Sequence, residues 1–166
     1  CLRLVDKHPN LIVLRTLSKS YSLAGMRLGF AIAQEALING MMKVKDSYNV
    51  DRLSMTSAVA ALDDQETFRQ NVSRIIKTRE RLIDSLKELG FFVYPSQANF
   101  VMIKCLDSCE AKDIYRELKE RKILVRYIEE PKLNDCLRIT VGTDKEIDTL
   151  LEKLAEIKLV LLNQNS

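Results

Sequence analysis

The sequence predicts an α/β protein in two parts, on three observations. Short apolar runs such as Leu11–Leu14 and Leu28–Ala33 alternate with longer stretches whose apolar residues recur at helical spacing. One such stretch, from about Asp64 to Leu89, meets no breaker before Gly90 and is long enough to link two parts of a chain. After Gly90, short strands alternate with two helical stretches, the pattern of a small α/β sandwich.

The 166 residues are enough for one ordinary domain with a real core. Hydrophobic residues make up 46% and charged residues 30%, a soluble globular balance. The 26 basic and 23 acidic residues are interspersed and leave a net charge of +3, so no nucleic-acid partner is expected. No apolar run reaches membrane-span length and no secretory signal opens the chain, so the expectation is a cytoplasmic protein without a membrane partner. Cys1, Cys105, Cys109 and Cys136 lack paired zinc spacing, and His8 is the single histidine, so no metal site is expected and the cysteines read as reduced thiols explained by packing.

The elements follow in order. Leu11–Leu14 and Leu28–Ala33 are strands apolar on both faces, as central strands of a covered sheet are. Helical patterns run from about Glu35 to Lys45 and from Leu53 to Leu62. In the long helix, Phe68, Val72, Ile75, Ile76, Leu82, Ile83, Leu86 and Leu89 form the apolar stripe, Asp63 or Asp64 caps the start, and Gly90 stops it. Phe91–Tyr94 and Asn99–Lys104 read as strands around a Pro95–Ser96 turn. A helix follows from about Cys109 to Arg121, with Asp107 as cap and Glu110 reaching back. Ile123–Arg126 and Leu137–Val141 are two more strands, and Thr143 to Glu146 is a capping box opening the last helix.

The stretch that carries chemistry is the loop between the first two strands, Thr16-Leu-Ser-Lys-Ser-Tyr-Ser-Leu-Ala-Gly-Met-Arg-Leu-Gly29. Ser18 and Arg27 can donate to a phosphate, Arg27 bidentately. Gly25 allows a close approach or a left-handed turn. Lys19 among phosphate donors is what a cofactor aldehyde needs. An amine with a pKa of roughly 10.4 in water is favoured in its neutral form by burial and by a neighbouring cation such as Arg27. By residue types alone, a solvated loop lysine and a surface arginine are the competing reading.

The order of residues resolves that competition. Ser18, Lys19, Leu23, Ala24, Gly25, Arg27 and Gly29 give seven matches over twelve residues to S-K-x-x-x-L-A-G-x-R-x-G, which resembles the lysine signature of the fold-type I, class I/II aminotransferases. Asn10 to Lys19, Ala98-Asn-Phe100, Ile123 to Arg126 and Leu137-Arg-Ile-Thr-Val-Gly-Thr143 look like the histidinol-phosphate aminotransferase branch, in the right order and over nearly the whole chain. The resemblance implies the C-terminal part of the large domain of a transferase dependent on pyridoxal 5′-phosphate (PLP) over residues 1–62, a long connecting helix over 63–90 and a small C-terminal α/β domain over 91–166.

It also implies roles. Lys19 is the covalent anchor of PLP and the proton carrier; Ser18 and Arg27 hold its phosphate, with Thr16 lining the pocket. Arg138 binds the acidic group of the substrate, and Arg126 its anionic end, unless Arg126 is an ordinary strand-end arginine in a surface ion pair. Asn99 either contacts substrate or merely starts a strand after a turn. Tyr21 and Tyr48 are candidates to approach the site, but Ser47 and Asp51 stand where relatives carry proline and asparagine. The implied reaction moves an amino group between an amino-acid or amino-alcohol phosphate, L-histidinol phosphate first, and 2-oxoglutarate in a homodimer. Other class I/II aminotransferases, threonine-phosphate decarboxylase, and a stand-alone small-domain or assembly module without activity are the alternatives. The family's aspartate partner for the pyridine nitrogen is not found, because the one acid before Lys19, Asp6, lacks its context. The chain therefore reads as the C-terminal half of such an enzyme, inactive alone, with an intact sandwich after Gly90 and a lysine segment that is disordered, paired with another chain or packed in a non-native way.

Overall fold

The computed structural model describes residues 2–105 and 110–164, so Cys1, Asp107 and Cys109 lie outside the described residues. The chain divides into two compact units, residues 1–72 and 73–166. The boundary runs through the long helix α4 (Gln65–Glu88).

In the first unit, a short helix α1 (Leu2–Val5) precedes β1 (Ile12–Thr16) and β2 (Gly29–Ala33). The two strands pair antiparallel from Ile12↔Ala33 to Thr16↔Gly29 as a two-stranded sheet. Gly29 is required there, since a Cβ would stand 2.6 Å from the Arg15 carbonyl oxygen. The lysine segment is thus ordered as the connection of a hairpin, where disorder was one expectation. The strands are also not covered on both faces: Val5 and Val13 are buried, but Leu14 is 72% exposed and Phe30 is open as well. α2 (Glu35–Val44) and α3 (Arg52–Asp63) follow, with Asp51 capping α3 by accepting from the Ser54 amide at 2.9 Å. Asp64 does the same for α4, accepting from Thr67 N–H at 3.1 Å.

The second unit is a four-stranded antiparallel sheet in the order β3–β4–β6–β5, comprising β3 (Phe92–Val93), β4 (Phe100–Lys104), β5 (Arg126–Tyr127) and β6 (Cys136–Thr140). Three helices share one core with it: the end of α4 through Leu82 and Leu86, α5 (Ala111–Glu120) through Ile114 and Leu118, and α6 (Asp144–Gln164) through Ile147, Leu150, Leu154 and Ile157. Val101, Ile103, Leu137 and Ile139 supply the sheet's side of that core. Alternation then turns Phe100, Met102, Lys104, Arg138 and Thr140 to the other face.

Local chemistry sets the ends. α4 stops at Gly90, left-handed at φ +80°, and Lys158 donates to the Leu89 carbonyl left over there. Thr143 and Glu146 form the expected capping box, with Thr143 N–H donating to Glu146 Oε2 at 2.7 Å and Glu146 N–H to Thr143 Oγ1 at 3.4 Å. The expected cap of α5, Asp107, lies outside the described residues, and the helix opens at Ala111 with the Glu110 carbonyl accepting from Asp113 and Ile114 N–H. One expectation fails. Ile123–Val125 is not a strand: the chain leaves α5 through Lys122 at φ +64°, with Ile123 N–H bonded back to Leu118, and reaches sheet pairing only at Arg126. Ile123 and Val125 pack on the core without ladder bonds, and that packing explains their strand-like alternation.

Candidate active site

In the first unit the chemistry-bearing loop is pinned at Leu17, which is 2% exposed. Leu17 N–H donates to Leu28 O at 3.2 Å, and Leu23 N–H returns to Leu17 O at 3.1 Å. Between them Lys19 opens a tight turn, its carbonyl accepting from Ser22 N–H at 2.9 Å. Ser18 N–H donates to Thr16 Oγ1 at 3.1 Å, so the Thr16 hydroxyl supports the loop backbone. Arg27 Nη1 donates to Ala24 O at 3.2 Å, folding the guanidinium back over the single turn Ala24–Met26.

Backbone strain sits in this loop, at Ser22 (φ +57°) and Arg27 (φ +51°), both left-handed and neither glycine. Of the two uses expected of Gly25, the left-handed turn is not taken up, since its φ is not positive; a Cβ on it would meet nothing within 4 Å. Ser54, buried on α3, helps to hold the loop, its hydroxyl lying 3.2 Å from Met26 O and 2.6 Å from Asp51 Oδ2. Those bonds from Ser54 hold the Asp51 carboxyl below the usual carboxylate range. Asp51 is thereby used as a helix cap. Tyr21 stacks on Phe68 at 4.6 Å, lining a cavity of about 180 Å³ with Ser20, Asp64 and Asn71. Tyr48 is 85% exposed and reaches no such contact.

Thr16, Lys19 and Arg27 are exposed, and Ser18 is half-buried. The burial expected around the Lys19 amine is therefore not supplied by these residues. Among the described residues neither Lys19 nor Arg27 makes an ion pair with an acid. A primary amine, a hydroxyl and a guanidinium, spaced by a strained loop on a hairpin, form a donor set that fits an aldehyde bearing a phosphate: the amine for the carbonyl, the other two for the anion.

The second unit brings together a different group. Arg126 and Arg138 face each other directly across β5 and β6. Directly opposed side chains share a face with Cβ atoms about 5 Å apart, and like charges so placed repel. No acid among the described residues pairs with either. Among the described residues Arg126 thus lacks the ion-pair partner that its alternative reading called for. On the neighbouring strand, Met102 lies opposite Arg138, and the Phe100 ring centroid lies 5.1 Å from the Arg138 guanidinium carbon. Asn99 adjoins this group through its backbone, its carbonyl accepting from Val141 N–H at 2.9 Å. Two guanidiniums side by side, with no acid partner among the described residues and one of them against an aromatic ring, have the chemistry to hold an anion. Sequence reasoning missed the partnership of Phe100 with Arg138, because a diagonal contact across two strands has no signal in linear spacing.

The aminotransferase class I and II family matches residues 2–154. A histidinol-phosphate aminotransferase of a Synechocystis species is 54% identical over 154 residues, covering 93% of this chain and 44% of the relative. That of Microcystis aeruginosa is 48% identical over 156 residues, covering 94% of this chain and 44% of the relative. The crystal structure of histidinol-phosphate aminotransferase from Sinorhizobium meliloti in complex with pyridoxal-5′-phosphate superposes with a TM-score of 0.82 at 32% identity, over 92% of this chain and 42% of that one. The chain thus spans less than half the length of the relatives it matches, and with a family match along nearly all of its own length and an α/β fold shared with a solved member, it belongs to the class I and II aminotransferases.

Proposed function

We propose that this chain is part of a PLP-dependent aminotransferase that exchanges the amino group of L-histidinol phosphate with 2-oxoglutarate, giving imidazole acetol phosphate and glutamate. The observation that carries the reading is the loop pinned at Leu17, which presents Ser18, Lys19 and Arg27 without an acid partner among the described residues. Bound PLP would supply an electron sink for the pair left at the substrate α-carbon. Lys19 would anchor it covalently and carry the proton at that α-carbon. Ser18 and Arg27 would hold its phosphate, with Thr16 bracing Ser18 through the bond at 3.1 Å. Arg138 and Arg126 would bind the substrate's anionic groups, with Asn99 beside them. Both substrates are anions, and planar guanidinium suits phosphate and carboxylate alike.

The same reading assigns residues 1–62 to the end of the PLP-binding domain, 63–90 to a connecting helix and 91–166 to the small domain, in a cytoplasmic homodimer. No helix among the described residues is long and apolar enough to cross a membrane. The 166 residues alone are expected not to transaminate. That chemistry needs a carboxylate on the pyridine nitrogen; the one acid before Lys19, Asp6, lacks the family's context for that role, and Asp51 and Asp64 are committed as helix caps. In a complete enzyme containing this chain, Arg138→Ala should lower kcat/KM at least tenfold, since a charge-assisted contact contributes roughly 1.5–3 kcal/mol. An unchanged kcat/KM in a folded variant removes Arg138 from the substrate site.

A further inference from the structure

Arg79, on α4 within the second unit, is a buried charge with no acid to meet it. It is 9% exposed, makes no ion pair among the described residues, and leaves its Nε without a hydrogen-bond partner. Its one anchoring bond runs from Nη1 to the Ala98 carbonyl at 3.1 Å. A guanidinium cannot shed its charge, so burying it unpaired is unfavourable, and an apolar chain of similar length would fill the place at lower cost. Arg81, two positions on, has the ordinary solution: it is exposed and paired with Asp144 at 3.1 Å and Asp148 at 2.5 Å. Stability alone does not account for Arg79.

The carbonyl that Arg79 holds belongs to the turn leading into β4. Inside that turn Ser96 Oγ accepts from Ala98 N–H at 3.1 Å and donates to Phe100 O at 2.6 Å. Just past the end of β6, Val141 N–H holds the Asn99 carbonyl. The turn is therefore tied from within, from the next strand and from the helix below, and out of it comes the Phe100 ring beneath Arg138.

We propose that Arg79 is a positioning residue for the Arg126–Arg138 anion site: by fixing the Ser96–Phe100 turn it holds Phe100 against the Arg138 guanidinium and presets Arg138 beside a like charge. This rests on the reading of the arginine pair as an anion site. With the ring in place, Arg138 keeps its position against repulsion from Arg126 before any anion arrives, and the anion then finds both guanidiniums ready.

The test uses the isotope-labelled 166-residue chain, with inorganic phosphate as probe and the Arg138 Nε–Hε resonance as reporter. In the wild type that resonance is shifted by the Phe100 ring, and phosphate moves it together with the Arg126 resonance. Arg79→Met should leave the sheet amides in place but return the Arg138 resonance toward an unstacked position and raise the phosphate Kd at least fivefold. Arg79→Lys, which keeps one donor and loses the fork, should fall between the two. Phe100→Leu should reproduce the Arg79→Met result. A folded Arg79→Met with an unmoved resonance and an unchanged Kd overturns the proposal. If Arg79→Met fails to fold, Arg79→Lys decides alone, and wild-type values for it overturn the proposal equally. If the wild type binds no phosphate, the anion reading fails, and the resonance in the absence of anion still decides the positioning role.

Discussion

Strands β1 and β6 are both five residues long and largely apolar, yet they sit in opposite surroundings. β6 is hydrogen-bonded on both sides, and its Leu137 and Ile139 are sealed by residues from three helices. β1 has the single partner β2, and its Leu14 stands open. The same contrast holds for the helices. α5 and α6 each put a full stripe into the shared core, whereas α2 buries no residue and α3 leaves Leu53 at 76% exposure. An apolar pattern states what an element is suited to cover, but covering it takes enough other elements, and only residues 73–166 bring enough. The exposed apolar surface of the first unit is also where the lysine loop is mounted, so chemistry and incomplete burial coincide in one region.

The sharpest way to break this contrast is a matched pair of truncations. Ile139→Ala in the sealed sheet should cost about 2–5 kcal/mol in denaturant unfolding, the usual range for emptying a core position. Leu14→Ala should change stability by no more than about 0.5 kcal/mol, as at an exposed site. Equal losses at the two positions would mean that β1 is covered in solution. The helix caps offer a smaller comparison. Thr143→Ala should cost the second unit about 1 kcal/mol in the same melt, while Asp51→Ala should loosen α3 without moving the transition of the second unit. Amide exchange resolved by residue would separate these outcomes.

Titration gives finer probes. Hydrogen bonds from Thr78 first, then Arg81, hold the exposed Asp144 carboxyl below its ordinary value. A depressed carboxylate contributes stability that is present above its unfolded value near 3.8 and lost as pH falls through the folded one. Asp144→Asn should therefore flatten part of the acid limb of the second unit's pH–stability curve below about pH 4. The smallest expected effect is at Cys136, where burial first and Asp135 second push the thiol up to about 11. A raised thiol favours the folded state fully below its ordinary value of 9.0, and that contribution fades as pH rises toward 11. In the folded chain Cys136 should resist alkylation at pH 8 and react as the unit unfolds. Fast labelling under native conditions would contradict its burial.

Much of this was legible in the sequence. The apolar stripe of α6, that of α4 apart from the exposed Ile76, the stop at Gly90 and the capping box at Thr143 each follow from local chemistry, and the structure keeps them. Ile123–Val125 misled because alternation reports packing, and here the packing is present without the ladder. Gly25 left two uses open, and the left-handed strain falls instead on Ser22 and Arg27, where no glycine advertises it. In the site, the loop residues could be found because they are contiguous. The facing of Arg126 and Arg138 depends on strand register across the intervening loop, and the burial of Arg79 distinguishes it from Arg81 only once the turn at Ala98 is known.

The proposed role of the hairpin loop is to anchor a phosphate-bearing aldehyde through Lys19. Incubation of the chain with PLP, reduction with borohydride and peptide mapping tests it directly, with pyridoxal lacking the phosphate as the control. Labelling should concentrate on Lys19 with PLP, fall on Arg27→Ala substitution, and show no such preference with pyridoxal. Labelling spread evenly over exposed lysines, or persisting at the same stoichiometry in Lys19→Ala, would contradict that role for Lys19.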